Sequence, residues 1–101
     1  HEGELPLPAL VFVGLYTDDA GSNAYTIGLR QFGKEEMEIV GSREDIEAVY
    51  NMMMAMVTYV VDYDATLQDG ETIGFSAEQK LAISRSPAQA GMADETLKIA
   101  F

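Results

Sequence analysis

The side chains able to do chemistry in this chain are nearly all carboxylates. Its 101 residues hold seventeen Asp and Glu, no Cys, and a single His at position 1. Without Cys and without an internal His, neither a Ser-His-Asp nor a Cys-His system can be assembled, and zinc lacks its usual ligands. Paired acids remain, and they suit general acid–base work or a divalent metal. Glu36 with Glu38, and Asp69 with Glu71, stand two residues apart, so each pair shares one face of a regular strand. With seventeen acids such pairs also arise by chance. Asp62-Tyr63-Asp64-Ala65-Thr66 has the opening spacing of a calcium loop. Leu67 then stands where that loop needs its glycine, and Ile73 where it needs its bidentate glutamate. Gly28, Gly33, Gly41, Gly70 and Gly74 are scattered and form no phosphate loop. The sequence therefore calls for no cofactor, no metal and no catalytic residue.

Charge narrows the partners. Six Lys and Arg against seventeen acids give a formal net charge of −11. Such a surface repels nucleic-acid phosphates and anionic membranes, and attracts a basic partner or a cation. Arg30, Lys34 and Arg85 are too few for nucleic acid and are expected to pair with neighbouring acids. The absence of Cys fits a reducing compartment, and a cytoplasmic location is expected. No apolar run approaches the roughly 20 residues of a membrane span. The longest, Met52 to Val61, is interrupted by Thr58. No basic n-region and apolar h-region open the sequence, so no signal peptide is expected.

These acids must be positioned by one α+β domain over residues 9–101, with residues 1–8 a polar, proline-bearing linker or the remnant of an affinity tag. Leu10-Val11-Phe12-Val13-Gly14-Leu15-Tyr16 is a continuous apolar run, expected as a strand. A turn follows over Asp18 to Asn23. Tyr25, Ile27 and Leu29 alternate with Thr26, Gly28 and Arg30 in a second strand, and Met37 and Ile39 with Glu36 and Glu38 in a third. Ser42 is the expected N-cap of a helix over residues 43–62, with Asp45 as the capping-box acid. Ile46, Val49, Tyr50, Met53, Val57, Val60 and Val61 follow helical spacing. Thr72 to Phe75, Lys80 to Ser84 and Thr96 to Phe101 are three further strands. The order β-β-β-α-β-β-β with short connections predicts a mostly antiparallel sheet of about six strands, with one long helix on one face.

Two surfaces exceed what a solitary core needs. Ile27, Leu29, Met37, Ile39, Ile73, Phe75, Leu81, Ile83, Leu97, Ile99 and Phe101 form one apolar face. The complementary positions, among them Thr26, Gly28, Thr72, Gly74, Ala82, Ser84, Thr96 and Ala100, are small and nearly uncharged. They suit either a lightly polar solvent face or close docking of another layer. On the helix, Met52, Met54, Met56 and Tyr59 lie off the core stripe, so the segment is apolar nearly all round and is covered on both sides. Its own loops or a second protein surface would do this; Met is favoured at adaptable binding surfaces. The candidate interaction surface is thus Thr26, Gly28, Thr72, Gly74, Met52, Met54, Met56 and Tyr59.

Tyr25-Thr26-Ile27-Gly28-Leu29, Phe32-Gly33-Lys34 and Glu36-Met37-Glu38-Ile39, followed by Asp69-Gly70-Glu71-Thr72-Ile73-Gly74, resemble the two motifs of a bacterial family, the domain of unknown function 4261. The resemblance runs from about Leu10 to Phe101. It departs at Glu35, where proline is expected, and that relaxes the turn. It implies the C-terminal domain of a longer bacterial protein, with no known activity, cofactor or catalytic residue. Three readings follow. One is a non-enzymatic interaction or assembly domain that docks on its own N-terminal domain or a second copy. Another is an acidic, immunity-type inhibitor of a basic toxin or nuclease. The third is a carboxylate and divalent-metal enzyme, which needs at least three acids in one pocket.

Overall fold

A computed structural model describes residues 11–74, 80–91 and 93–100. Strands β1 (Phe12–Asp18) and β2 (Gly21–Ile27) form a hairpin. A 3-10 turn over Leu29–Phe32 leads into β3 (Met37–Ser42). Helix α1 (Ile46–Asp62) follows, and β4 (Thr72–Gly74), β5 (Lys80–Pro87) and β6 (Glu95–Ala100) complete the chain. The six strands form one sheet in the order β1-β2-β3-β6-β5-β4, with α1 against β1, β2 and β3. The class is α+β, and the sequential order of strands and helix is the one expected.

The sheet itself is mixed. Its central pair, β3 with β6, is parallel, with Met37 opposite Leu97 and Glu38 opposite Lys98. The expectation of a mostly antiparallel sheet rested on short connections. It missed this pairing because β6 returns beside β3 after the helix and an antiparallel β4-β5 excursion, a crossover that alternation does not encode. Boundaries also moved. The first turn is tighter than read, because Asp18 Oδ1 accepts from the amides of Ala20 and Gly21 and lets β2 begin at Gly21. Leu29 belongs to the 3-10 turn rather than to β2.

Helix α1 starts later than residue 43. Asp45, not Ser42, is its N-cap, accepting from the Ala48 amide at 2.8 Å. Ser42 Oγ instead accepts from the Glu44 amide, closing a turn ahead of the helix. Val49, Met52, Met53, Met56, Val57 and Val60 then recur at three- and four-residue spacing and are buried. They meet Ala24, Leu29, Met37, Ile39, Leu81, Ile83, Leu97 and Ile99 in one core. The apolar strand face is therefore real at these positions, with Ile73 packed half-buried against it. Ile27, read as part of that face, lies on the opposite one with Phe12 and Tyr25, because the chain leaves β2 for the 3-10 turn before Leu29 and the alternation does not run through. Phe75, Phe101 and the linker residues 1–8 lie outside the described residues.

Two glycines are demanded by geometry. At Gly14 an added Cβ would stand 2.2 Å from the Tyr25 ring, which crosses it. At Gly21, φ is +135° and an added Cβ would stand 2.4 Å from the Ser42 carbonyl oxygen, which belongs to backbone and cannot swing aside. Gly21→Ala is expected to cost about 2 kcal/mol of stability. A urea melt with an unchanged midpoint would contradict this.

Candidate functional site

The acids singled out by their spacing do come together with the motif residues, in two clusters on β3. Glu36 is 4% exposed and Glu38 is fully buried. Glu36 accepts from Thr26 Oγ1 at 2.9 Å and from the amides of Gly28, Leu29 and Arg30 at 3.1, 3.2 and 3.4 Å. Those amides open the 3-10 turn and have no partner within it. Thr26 Oγ1 in turn accepts from the Met37 amide at 2.9 Å, closing the cluster.

Glu38 does the equivalent for the β5–β6 loop. It accepts from the amides of Gln89 and Ala90 at 3.0 and 3.1 Å and from Thr96 Oγ1 at 2.6 Å. Lys98 Nζ stands 3.2 Å from the same carboxylate. Lys98 also donates to Thr96 Oγ1 and to the carbonyls of Ser86 and Pro87. The loop is thereby drawn over the sheet face away from α1, with Gly91 against the Tyr25 ring. Phe12 and Tyr16 flank that ring, with centroids 6.1 and 6.2 Å away. Burial, with the Glu38 and Asp18 charges nearby, raises the Tyr16 phenol above its ordinary range.

The chemical consequence follows from counting. An ionised carboxylate offers about four acceptor sites. Glu36 takes two donors on each oxygen, which fills it, while Glu38 takes two donors and the Lys98 ammonium on Oε1 and one amide on Oε2, so both carboxylates are engaged by the chain itself. Asp69 accepts from the Arg85 amide, and Glu71 from the Gln68 amide. The acidic end of α1 is answered too. Asp64 meets Lys34 Nζ at 2.8 Å, which holds its carboxyl below the usual range. The calcium-like spacing from Asp62 is therefore a helix end with a turn locked by an ion pair. Glu35 takes Arg85 in a two-point contact, both distances 2.8 Å, and raises its pKa. Among the described residues no three acids are grouped at metal-binding distance, and no buried side-chain nitrogen or oxygen lacks a partner.

The candidate interaction residues separate into groups. Thr26 is buried in the Glu36 cluster, and Gly28 begins the turn that Glu36 holds. Neither is on a free face, because the motif they share closes on its own glutamate. Thr96, at a complementary position, is likewise buried against Glu38. Thr72 and Gly74 are exposed on β4, as are Ala82, Ser84 and Ala100 beyond the loop. Met52 and Met56 are buried in the core, Met54 is half-buried and Tyr59 is 40% exposed.

What sequence reasoning missed is that four of these residues share a cavity. Met54, Met56, Tyr59 and Gly74, with Tyr63 and Ile73, line an apolar groove of about 490 Å³ between the C-terminal half of α1 and β4. Tyr63, 77% exposed, stands at its rim just past the helix end. A signal was present: Ala55, Tyr59 and Tyr63 recur every four residues on one flank of the helix.

No curated protein and no solved structure matches the chain. A family model described as a domain of unknown function (DUF4261) matches residues 25–100, from the middle of β2 to the end of β6. That span holds both glutamate clusters, helix α1 and the groove, and the chain belongs to this family.

Proposed function

We propose that the domain is a non-enzymatic protein-interaction or assembly module that receives its partner in the groove between α1 and β4. The observation that carries this reading is the groove's lining. Met54 and two tyrosines at an open apolar cleft floored by Met56 supply the adaptable and anchoring side chains that interfaces favour. The engagement of Glu36 and Glu38 by the chain's own donors, with both side chains buried, supports a binding role over carboxylate chemistry. The −11 charge supports basic surroundings on the partner, through steering of encounter. It is also the sole support for an immunity-type inhibitor of a basic toxin. A cysteine-free chain suits the cytoplasm, and no helix among the described residues is long and apolar enough to cross a membrane.

The test is capture from the native host by the wild-type domain and by Tyr59→Asp. A tyrosine that anchors an interface is worth about 2 kcal/mol, so the variant should hold the partner roughly thirtyfold more weakly. Equal capture by both proteins would refute the groove as the binding site.

A further inference from the structure

The two edges of the sheet are treated differently. At one edge β4 has three described residues, Thr72–Gly74. At the other edge β1 has seven, Phe12–Asp18, paired to β2 in seven consecutive registers with no bulge. Its sequence holds no Pro, Lys or Arg, the residues that usually block edge pairing. Alternate residues of β1 turn their N–H and C=O groups away from β2, and among the described residues no strand lies beyond them.

The side chains along this edge are apolar and unusually open. Phe12 is 56% exposed, on the face it shares with Tyr25. Leu15 is 41% exposed, on the α1 face that it shares with Val13. Tyr50, 40% exposed, lies nine residues from Tyr59, which at 100° per residue is the opposite flank of α1. Tyr59 looks toward β4, so Tyr50 looks toward β1.

We propose that β1 is a homodimer edge, pairing antiparallel with β1 of a second copy about a twofold axis at Leu15. Three features select a second copy. An antiparallel strand pair centred on one residue is self-complementary, as a twofold interface requires. About Leu15 the register sets Leu15 on the second copy's Leu15 and Val13 on its Thr17, all on the α1 face. Phe12 meets the aliphatic stem of the second copy's Asp18 on the other face. Charge also permits it. Asp18 is the only charged residue of β1, and its Oδ1 is engaged by the Ala20 and Gly21 amides and by Asn23. The register places the two Asp18 side chains about six residues apart along the pair, roughly 20 Å, beyond the screening length of about 8 Å. This surface is distinct from the groove, so the two proposals stand or fall separately.

The chain has no native cysteine, which makes the register directly readable. Leu15→Cys puts two thiols across the twofold, with Cα atoms about 5 Å apart, and should form a disulfide-linked dimer on mild oxidation. Thr17→Cys puts them about 14 Å apart and should not. Sedimentation of the wild type over a concentration series should show mass rising toward twice the chain, and Leu15→Lys should halve it with unchanged circular dichroism. A wild type of monomer mass throughout overturns the proposal. So does a folded Leu15→Lys that stays dimeric, or a Thr17→Cys that crosslinks as readily as Leu15→Cys.

Discussion

Glu38→Ala is expected to remove about 3–5 kcal/mol of stability, a large part of what a domain of this size has. The side chain is fully buried, and its loss leaves the Lys98 ammonium without its counter-charge. It also strands the Gln89 and Ala90 amides and the Thr96 hydroxyl. Each orphaned donor costs on the order of 1–3 kcal/mol when water cannot reach it. Glu38→Gln separates charge from shape. The amide keeps the volume but brings two donors of its own into a cluster already rich in donors, so most of the loss should persist. Lys98→Met leaves an uncompensated carboxylate and is destabilising alone. In the double variant Glu38→Gln with Lys98→Met the two losses should sum to less than their separate values. Urea unfolding of the four proteins measures this. Amide exchange at Gln89 and Ala90 should quicken first, since Glu38 is what holds the loop to the sheet. A Glu38→Ala protein within 1 kcal/mol of wild type would show that the cluster is incidental.

Glu36→Ala is the second large effect, at about 2–4 kcal/mol. The carboxylate serves as the cap of a turn from outside that turn. It binds the amides of Gly28, Leu29 and Arg30, while Thr26 ties it to β2. Leu29 is fully buried, so its amide would lose its partner where solvent cannot replace it. The Gly28 and Arg30 amides are only partly buried, and water recovers some of the loss. The estimate is below that for Glu38 because no ammonium loses its counter-charge here, as Lys98 does there. Thr26→Val should reproduce part of the effect and be less than additive with Glu36→Ala, whereas Thr26→Ser should be nearly silent. Independent, fully additive losses in urea would mean that Thr26 and Glu36 do not act as one unit.

These clusters explain the motif residues physically. Tyr25-Thr26-Ile27-Gly28-Leu29 and Glu36-Met37-Glu38-Ile39 are two halves of one fastening: Leu29, Met37 and Ile39 join the core under α1, Tyr25 and Ile27 lie on the opposite face beside Phe12, and Thr26 with the amides of Gly28 and Leu29 closes on Glu36. Asp69-Gly70-Glu71 is similar in kind. Asp69 takes the Arg85 amide, the Gly70 amide donates to the Ile83 carbonyl, and the Ile83 amide donates to the Glu71 carbonyl. Glu35, where proline was expected, is occupied by Arg85. The turn it relaxes is tied to β5 by a side-chain contact in place of a rigid ring.

The order of elements, the α+β class and part of the core stripe of α1, Val49, Met53, Val57 and Val60, were legible in the chain, whereas Met52 and Met56, read as off the stripe, are buried in it, and Tyr50, read as in it, is 40% exposed. Alternation and three-to-four spacing report which side of an element meets the apolar interior, and that is a local property. The absence of Cys and of an internal His likewise bounded the chemistry without any structure. What local pattern cannot contain is the identity of a distant partner. Glu36 and Glu38 looked like a free acidic pair because the donors on Glu38 lie 51, 52 and 58 residues away. The parallel join of β3 to β6 was hidden for the same reason, since a strand's alternation is the same whichever way its neighbour runs. Tertiary structure alone decided that the conspicuous carboxylates are fastenings. Among the described residues it also left two apolar surfaces without cover, the groove beside β4 and the outer edge of β1.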